Sequence, residues 1–184
     1  MRGKLIKLRG YERGDADALL RWMSDPEVTR FLGPTRIPQT RAFQERQVED
    51  MLKPDVESKI FVVETLAGEA IGECGLRNFN WVSRNAELII TIGDKRYWGK
   101  GYGTEAVSLV LEIAFDRLNL HGVNLTTLAT NERALRCYEK CGFAREGLFR
   151  ERSFVDGSYV DVIAMGILRA DYQQRRAGAV RGKP

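Results

Sequence analysis

Three glycines at alternate positions, Gly99, Gly101 and Gly103, stand between a run with strand character, Ala86 to Ile92, and a run with helical periodicity, Thr104 to Leu118. Glycine at this spacing lets the backbone turn tightly and lets a ligand approach without meeting a Cβ. Successive N–H groups of such a turn point into a concavity, and the N-terminus of the following helix adds partial positive charge. The segment Arg96-Tyr97-Trp98-Gly99-Lys100-Gly101-Tyr102-Gly103-Thr104 therefore predicts a phosphate or pyrophosphate site, with Arg96 and Lys100 adding charge at its rim. It is not a Walker A loop, because Gly99-Lys100 is followed by Gly101 rather than Ser or Thr. Nor is it a Rossmann fingerprint, since the spacing is Gly-x-Gly-x-Gly. A purely structural turn is the other reading of the bare glycines.

The elements around the turn follow from pattern and punctuation. Ala106, Val107, Val110, Leu111, Ala114, Phe115 and Leu118 form one stripe, so the helix after the turn packs on a sheet and aims its N-terminus at the ligand. Upstream, Leu5 to Leu8 reads as a strand, and Asp15 begins a helix that stops at Asp25-Pro26. Phe31 to Pro38 reads as a loop, and Thr40 caps a second helix to about Leu52. Ile60 to Thr65 and Ala70 to Leu76 read as paired strands. Downstream come a strand at Val123 to Ala129 and a helix at Glu132 to Cys141 ended by Gly142. A final hairpin flanks Asp156-Gly157, with strands at Ser153 to Val155 and Ser158 to Met165. The order β-α-α-β-β-β-α-β-α-β-β predicts an α/β or α+β fold with a mixed sheet. A chain of 184 residues suits one domain, placed at 1–174, with 175–184 as a basic, flexible tail.

At this point the motifs resemble a family. Arg96-x-x-Gly99-x-Gly101 is similar to the Arg/Gln-x-x-Gly-x-Gly/Ala signature of the GCN5-related N-acetyltransferases (GNAT). Asn131 to Phe143, with Tyr138-Glu139-Lys140-Cys141-Gly142-Phe143, resembles that family's Asn…Tyr-x-Lys-x-Gly-Phe segment. Leu8-Arg9, Gly14-Asp15-Ala16, Trp22 to Val28, Leu118 to His121 and the final hairpin resemble the branch of ribosomal-protein and spermidine acetyltransferases. The likeness spans about residues 5 to 172.

The resemblance implies a mixed, mostly antiparallel sheet with flanking helices, whose fourth and fifth strands splay apart at a bulge. Acetyl-CoA lies in that opening as co-substrate, its pyrophosphate on Trp98, Gly99, Lys100, Gly101, Tyr102, Gly103 and Thr104 beside Arg96. Its pantetheine pairs with the Ile90-Thr91-Ile92 edge, and Asn131, Ala134, Tyr138 and Lys140 complete the cofactor contacts. The family commonly has Ser where this chain has Ala134, which removes one polar contact. The activity implied is acetyl transfer to a primary amine by direct attack in a ternary complex. An acyl-CoA-binding regulatory module with little catalysis is the alternative.

Acetyl transfer needs a neutral amine, a polarised thioester carbonyl and a proton for the departing thiolate. By the resemblance Tyr138 is the general acid; its bare spacing fits equally a ring packed on the sheet. Glu87 is the candidate base, sharing a strand face with Ile89 and Thr91 by period-2 alternation. A strand-edge acid paired with Arg84 or Arg77 is the competing reading, and Glu73 on the preceding strand ranks behind Glu87. No metal is expected: His121 is the only histidine, and Cys74, Cys137 and Cys141 form no ligand set.

Asp25, Glu27, Glu45, Glu49, Asp50, Asp55 and Glu57 surround the expected acceptor side. They read either as a rim that attracts a polyamine, another small amine or a basic peptide N-terminus, or as a solvated face balanced by Arg41, Arg46 and Lys53. The net charge of +4 owes much to Arg175, Arg176, Arg181 and Lys183, so it does not call for a nucleic-acid partner. No run approaches the roughly 20 apolar residues of a membrane span. An odd number of cysteines fits a reducing compartment and the charged N-terminus does not read as a signal peptide, so a cytoplasmic location is expected. A homodimer is left open.

Overall fold

The structure, a computed structural model, describes residues 1–32, 39–53 and 58–181. Most of the loop expected at Phe31 to Pro38 lies outside the described residues, as do Asp55, Glu57 and Lys183. Seven strands form one sheet: β1 (Ile6–Arg9), β2 (Ser58–Thr65), β3 (Ala70–Asn80), β4 (Asn85–Ile92), β5 (Gly122–Leu128), β6 (Ala144–Val155) and β7 (Ser158–Leu168). Their spatial order is β1-β2-β3-β4-β5-β7-β6. Every neighbouring pair is antiparallel except β4 and β5, which run parallel.

The parallel pair is the unusual one. It holds register only at Asn85–Gly122, Ala86–Val123 and Glu87–Asn124. Beyond Glu87, β4 continues with β3 as partner and β5 continues with β7, so the sheet opens between them. The register irregularity at this point lies in β3 between Arg77 and Asn80, where Asn78 has φ 53°; β4 stays in register with β3 from Glu87 to Ile92.

Helices cover both faces. On one, α4 (Tyr102–Glu112) and a π turn (Ile113–Arg117) bury Ala106, Val107, Val110, Leu111, Ala114 and Phe115, the stripe expected from sequence. Each large side chain so buried contributes roughly 1.5–3 kcal/mol. With α5 (Glu132–Cys141) this layer packs on Leu88, Ile90 and Ile92 of β4. On the other face α1 (Ala16–Met23), the one-turn α2 (Pro26–Thr29) and α3 (Arg41–Met51) enclose a second core of Tyr11, Leu19, Trp22, Val28, Val48 and Val62.

The terminal expectations need correcting. Arg169–Arg181 forms a helix, α6, where a flexible tail was expected from Arg175. Arg175 Nη2 donates to the Lys140 carbonyl (2.7 Å), and Arg176 pairs with Asp116 beside the Tyr172 hydroxyl. The helix was missed because Tyr172 is its one buried side chain among those described, which leaves no apolar period to read. Strand β6 likewise begins at Ala144 rather than Ser153, since its first nine residues are all exposed and carry no alternation.

Helix α1 is seated on the sheet by one tight contact, Trp22 against Gly93, where an added Cβ would lie 2.1 Å from Trp22 Cγ. Gly93→Ala is therefore expected to cost about 1–3 kcal/mol through overpacking. Thermal denaturation would read this as a Tm several degrees lower; an unchanged Tm would mean that the indole does not rest there.

Candidate active site

Where β4 and β5 part, a cleft of about 780 Å³ opens. That is the size of a pocket for a small molecule or cofactor. One wall is the edge of β4 from Glu87 to Ile92; the other is Thr126 to Leu128 of β5 with the inner face of α5. An edge without a neighbouring strand presents N–H and C=O groups that require a partner. Trp98 Nε1 already donates to the Ile92 carbonyl (2.6 Å), so the edge groups offered to a ligand are those before it.

The glycine turn closes one end. Gly99 and Gly101 have φ of 71° and 89°, left-handed values that a side chain resists. An added Cβ at Gly99 would meet nothing within 4 Å, and at Gly101 only Leu5 at 3.7 Å, so these positions need glycine for its dihedral freedom rather than for space. The first backbone bond of α4 runs from Glu105 N–H to the Gly101 carbonyl (3.0 Å). The N–H groups before Glu105 are thus those that a helix start leaves without intrahelical partners. Glu105 is turned away from them: its carboxylate accepts from the N–H groups of Lys4, Leu5 and Ile6 (2.7–3.0 Å) and ties β1 to α4.

Most of the expected cofactor residues line this cleft: Ile90, Thr91, Ile92, Trp98, Gly99, Gly101, Gly103, Thr104, Asn131, Ala134, Tyr138 and Lys140. Arg96, Lys100 and Tyr102 do not. The Arg96 guanidinium folds back onto Asp94 (2.6 Å) and Glu69, Lys100 is exposed, and the Tyr102 ring stands edge-on to Tyr97. Besides Arg77, which is engaged by Glu87, the cleft cations come from α5, where Arg133, Arg136 and Lys140 fall on one helix face at i, i+3 and i+7. Arg133 stacks over the Trp98 ring at 3.6 Å, and Arg136 pairs with Glu132. Sequence reading passed over Arg133 and Arg136, although their spacing in the Asn131 to Phe143 segment was the signal. Asn131 Oδ1 caps α5 by accepting from Ala134 N–H (3.2 Å), which leaves its Nδ2 to donate into the cleft.

Tyr138 is buried on α5, and its ring meets Phe143 edge-on at 5.9 Å. Burial pushes its hydroxyl above the ordinary tyrosine value, so it stays protonated at neutral pH. Beside it, Cys137 lies 3.5 Å from Thr104 Oγ1, and hydrogen bonding from Cys141 draws its thiol below the ordinary cysteine value. Among the described residues no group of three or more His, Cys, Asp or Glu is placed to hold a metal ion.

The two carboxylates considered as bases differ sharply. Glu87 accepts from Arg77 Nη2 (2.8 Å) and Asn78 Nδ2 (2.7 Å). Burial opposes its ionisation, yet these partners prevail and hold its carboxyl below the ordinary value. This is the ion-paired strand acid of the competing reading, a poor proton acceptor. Glu73 is half-buried in the same wall, and burial raises its carboxyl above the ordinary value. Four of the other expected rim acids are paired: Asp25 and Glu27 with Lys95, Glu49 with Arg13, and Asp50 with Lys53. None of these four lines the cleft.

Comparison with known proteins agrees with this geometry. The acetyltransferase (GNAT) domain model matches residues 6–144. The spermidine N(1)-acetyltransferase of Escherichia coli is 32% identical over 167 residues, covering 91% of this chain and 88% of that protein. Its counterpart from Vibrio cholerae is 36% identical over 121 residues, covering 66% and 69%. A crystal structure of the Vibrio cholerae spermidine N-acetyltransferase with CoA and spermine superimposes with a TM-score of 0.83 at 30% identity, covering 91% of this chain and 98% of that one.

The left-handed Gly101 gives a direct test of the turn. Gly101→Val places a β-branched residue at φ 89°. The strain, of order 1–2 kcal/mol, is expected to lower affinity for CoA by about tenfold in titration calorimetry. Unchanged affinity would remove the turn from the phosphate site.

Proposed function

This chain belongs to the GNAT family of acetyltransferases, and we propose that the amine it acetylates is a small polyamine. The enzyme transfers the acetyl group of acetyl-CoA to a primary amine. The observation that carries the reading is the opening between β4 and β5, with the Gly99–Gly101 turn at one end and Tyr138 in its wall. Acetyl-CoA supplies an activated acyl group as a thioester. The N–H groups before Glu105 hold its diphosphate, with Arg133 and Lys140 supplying charge from α5. The free edge of β4 orients the pantetheine arm as an added strand does, and polarises the acyl carbonyl through a backbone N–H.

Tyr138 supplies the proton for the departing sulfur. Its raised value keeps the proton in place until the thiolate, a stronger base than the thioester sulfur, forms beside it. Polyamines are supported as acceptors by the spermidine acetyltransferases among the relatives. They are supported too by a cleft wall that carries the Glu73 carboxylate from β3.

The test is acetyl-CoA turnover against polyamines, aminoglycosides, amino acids and peptide N-termini, with mass detection of the product. Acetylated polyamine is the expected product; transfer only to peptide N-termini would overturn the acceptor, and CoA binding without transfer would make the chain a binding module. Tyr138→Phe is expected to keep CoA affinity and to lower kcat about a hundredfold. An unchanged kcat would remove Tyr138 from proton transfer.

A further inference from the structure

We propose that Glu73, and not Glu87, is the carboxylate that holds the acceptor's ammonium group and takes its proton, with Tyr11 as its positioning residue; this rests on the amine acetylation proposed above.

Register places Glu73 directly opposite Thr91, one strand spacing (about 4.8 Å) from the β4 edge that faces the acyl donor. The pairs Glu73–Thr91, Gly75–Ile89 and Arg77–Glu87 share one face of the sheet, opposite the face that α4 covers. Glu73 therefore reaches the cleft from the side of α1 and α3, where Met23, Val28 and Gln47 complete the wall. Its Oε2 accepts from the Tyr11 hydroxyl at 2.5 Å, which fixes the carboxyl plane and leaves Oε1 for a second donor. Tyr11 is itself buried and held by its turn: Arg9 donates to both oxygens of Asp15 (2.8 and 2.7 Å), and Glu12 N–H donates to Asp15 Oδ2 (2.7 Å).

The surroundings set the charge of the site. On the Glu73 face stand Tyr11 from the turn before α1 and Arg77 along β3, with the neighbouring Cys74 turned to the other face of the strand; Arg77 is engaged by Glu87 from β4, and Arg9 and Asp15 stand behind Tyr11. Glu87 is thus neutralised locally, whereas Glu73 has a neutral hydroxyl as its hydrogen-bond donor. Among the described residues no cation forms an ion pair with Glu73, and such a carboxylate in a cleft wall is completed by a cationic substrate group. Burial lifts the Glu73 carboxyl, partly offset by Tyr11 and Arg77, and so makes it a better proton acceptor than an exposed glutamate.

The proton balance closes without a further reagent. Glu73 takes one proton from R–NH3⁺; the freed nitrogen forms a bond to the acyl carbon, and the carbon–sulfur bond breaks. The sulfur takes the Tyr138 proton, Tyr138 recovers one from the nitrogen, and Glu73 returns its proton to water. One ammonium and one acetyl-CoA give one acetamide, one CoA thiol and one proton.

The test is steady-state kinetics of the full chain with spermidine as probe, across acidic to alkaline pH. Glu73→Gln is expected to raise the KM for the amine about tenfold or more. It should also abolish the acidic limb of kcat/KM, which falls as pH drops through the raised Glu73 value, while leaving CoA affinity intact. Tyr11→Phe withdraws a bond that favours the carboxylate and should move that limb to higher pH. If Glu73→Gln keeps both KM and limb while Tyr138→Phe still depresses kcat, the assignment of Glu73 is wrong and the acetyltransferase reading stands. If the wild-type chain acetylates no amine, both fall. Should Glu73→Gln fail to fold by circular dichroism, the Tyr11→Phe limb decides, and an unmoved limb overturns the proposal.

Discussion

The molecule turns on a broken partnership: β4 and β5 stay hydrogen bonded for three residue pairs and then separate. A strand edge inside a protein cannot be left without partners at no cost, since each buried unpaired peptide group costs on the order of 1–3 kcal/mol. The divergence is held open from outside, because β4 is committed to β3 through Ile92 and β5 to β7 through Leu128. Neither strand can close the gap without losing a longer ladder. The opening is thus a stable feature of the fold, shaped for an extended ligand that brings its own amide groups.

Charge is distributed with the same economy. Lys95 joins Asp25 and Glu27, Arg96 joins Asp94 and Glu69, Arg77 joins Glu87, and Arg9 joins Asp15 and Glu64. The small positive excess of the composition therefore says little about the cleft. Apart from Arg77 and Glu87, which pair with each other, and Arg136, which pairs with Glu132, what faces the cleft is bipolar: Arg133 and Lys140 on α5 beside the glycine turn, and Glu73 in the opposite wall. A donor with phosphates and an acceptor with ammonium groups would enter such a cleft from different ends and meet near Tyr138.

Much of this was legible in the sequence, and what was missed shares a cause. The α4 stripe, the strand alternation around Glu87 and the Gly142 cap, at φ 101°, are local patterns set by periodicity and dihedral preference, and the structure has them as read. Arg96 looked like a phosphate ligand because it adjoins the turn; its pairing with Glu69, 27 residues away in sequence, is tertiary and leaves no local trace. Glu87 outranked Glu73 for the same reason. The difference between them is that Arg77 lies across from one and Tyr11, 62 residues distant, reaches the other. Helix α6 and the first nine residues of strand β6 escaped because mostly exposed elements carry no apolar period. Motif and fold are written locally, whereas the charge state of a site is written in contacts between distant segments.

Amide hydrogen exchange with and without CoA tests most directly whether the opening is the donor site. The account predicts that CoA slows exchange in residues 88–91, along the free edge of β4, and in residues 99–104 of the glycine turn, with β1 and β2 unaffected. Exchange unchanged in both segments at saturating CoA, or slowed only elsewhere on the sheet, would contradict it.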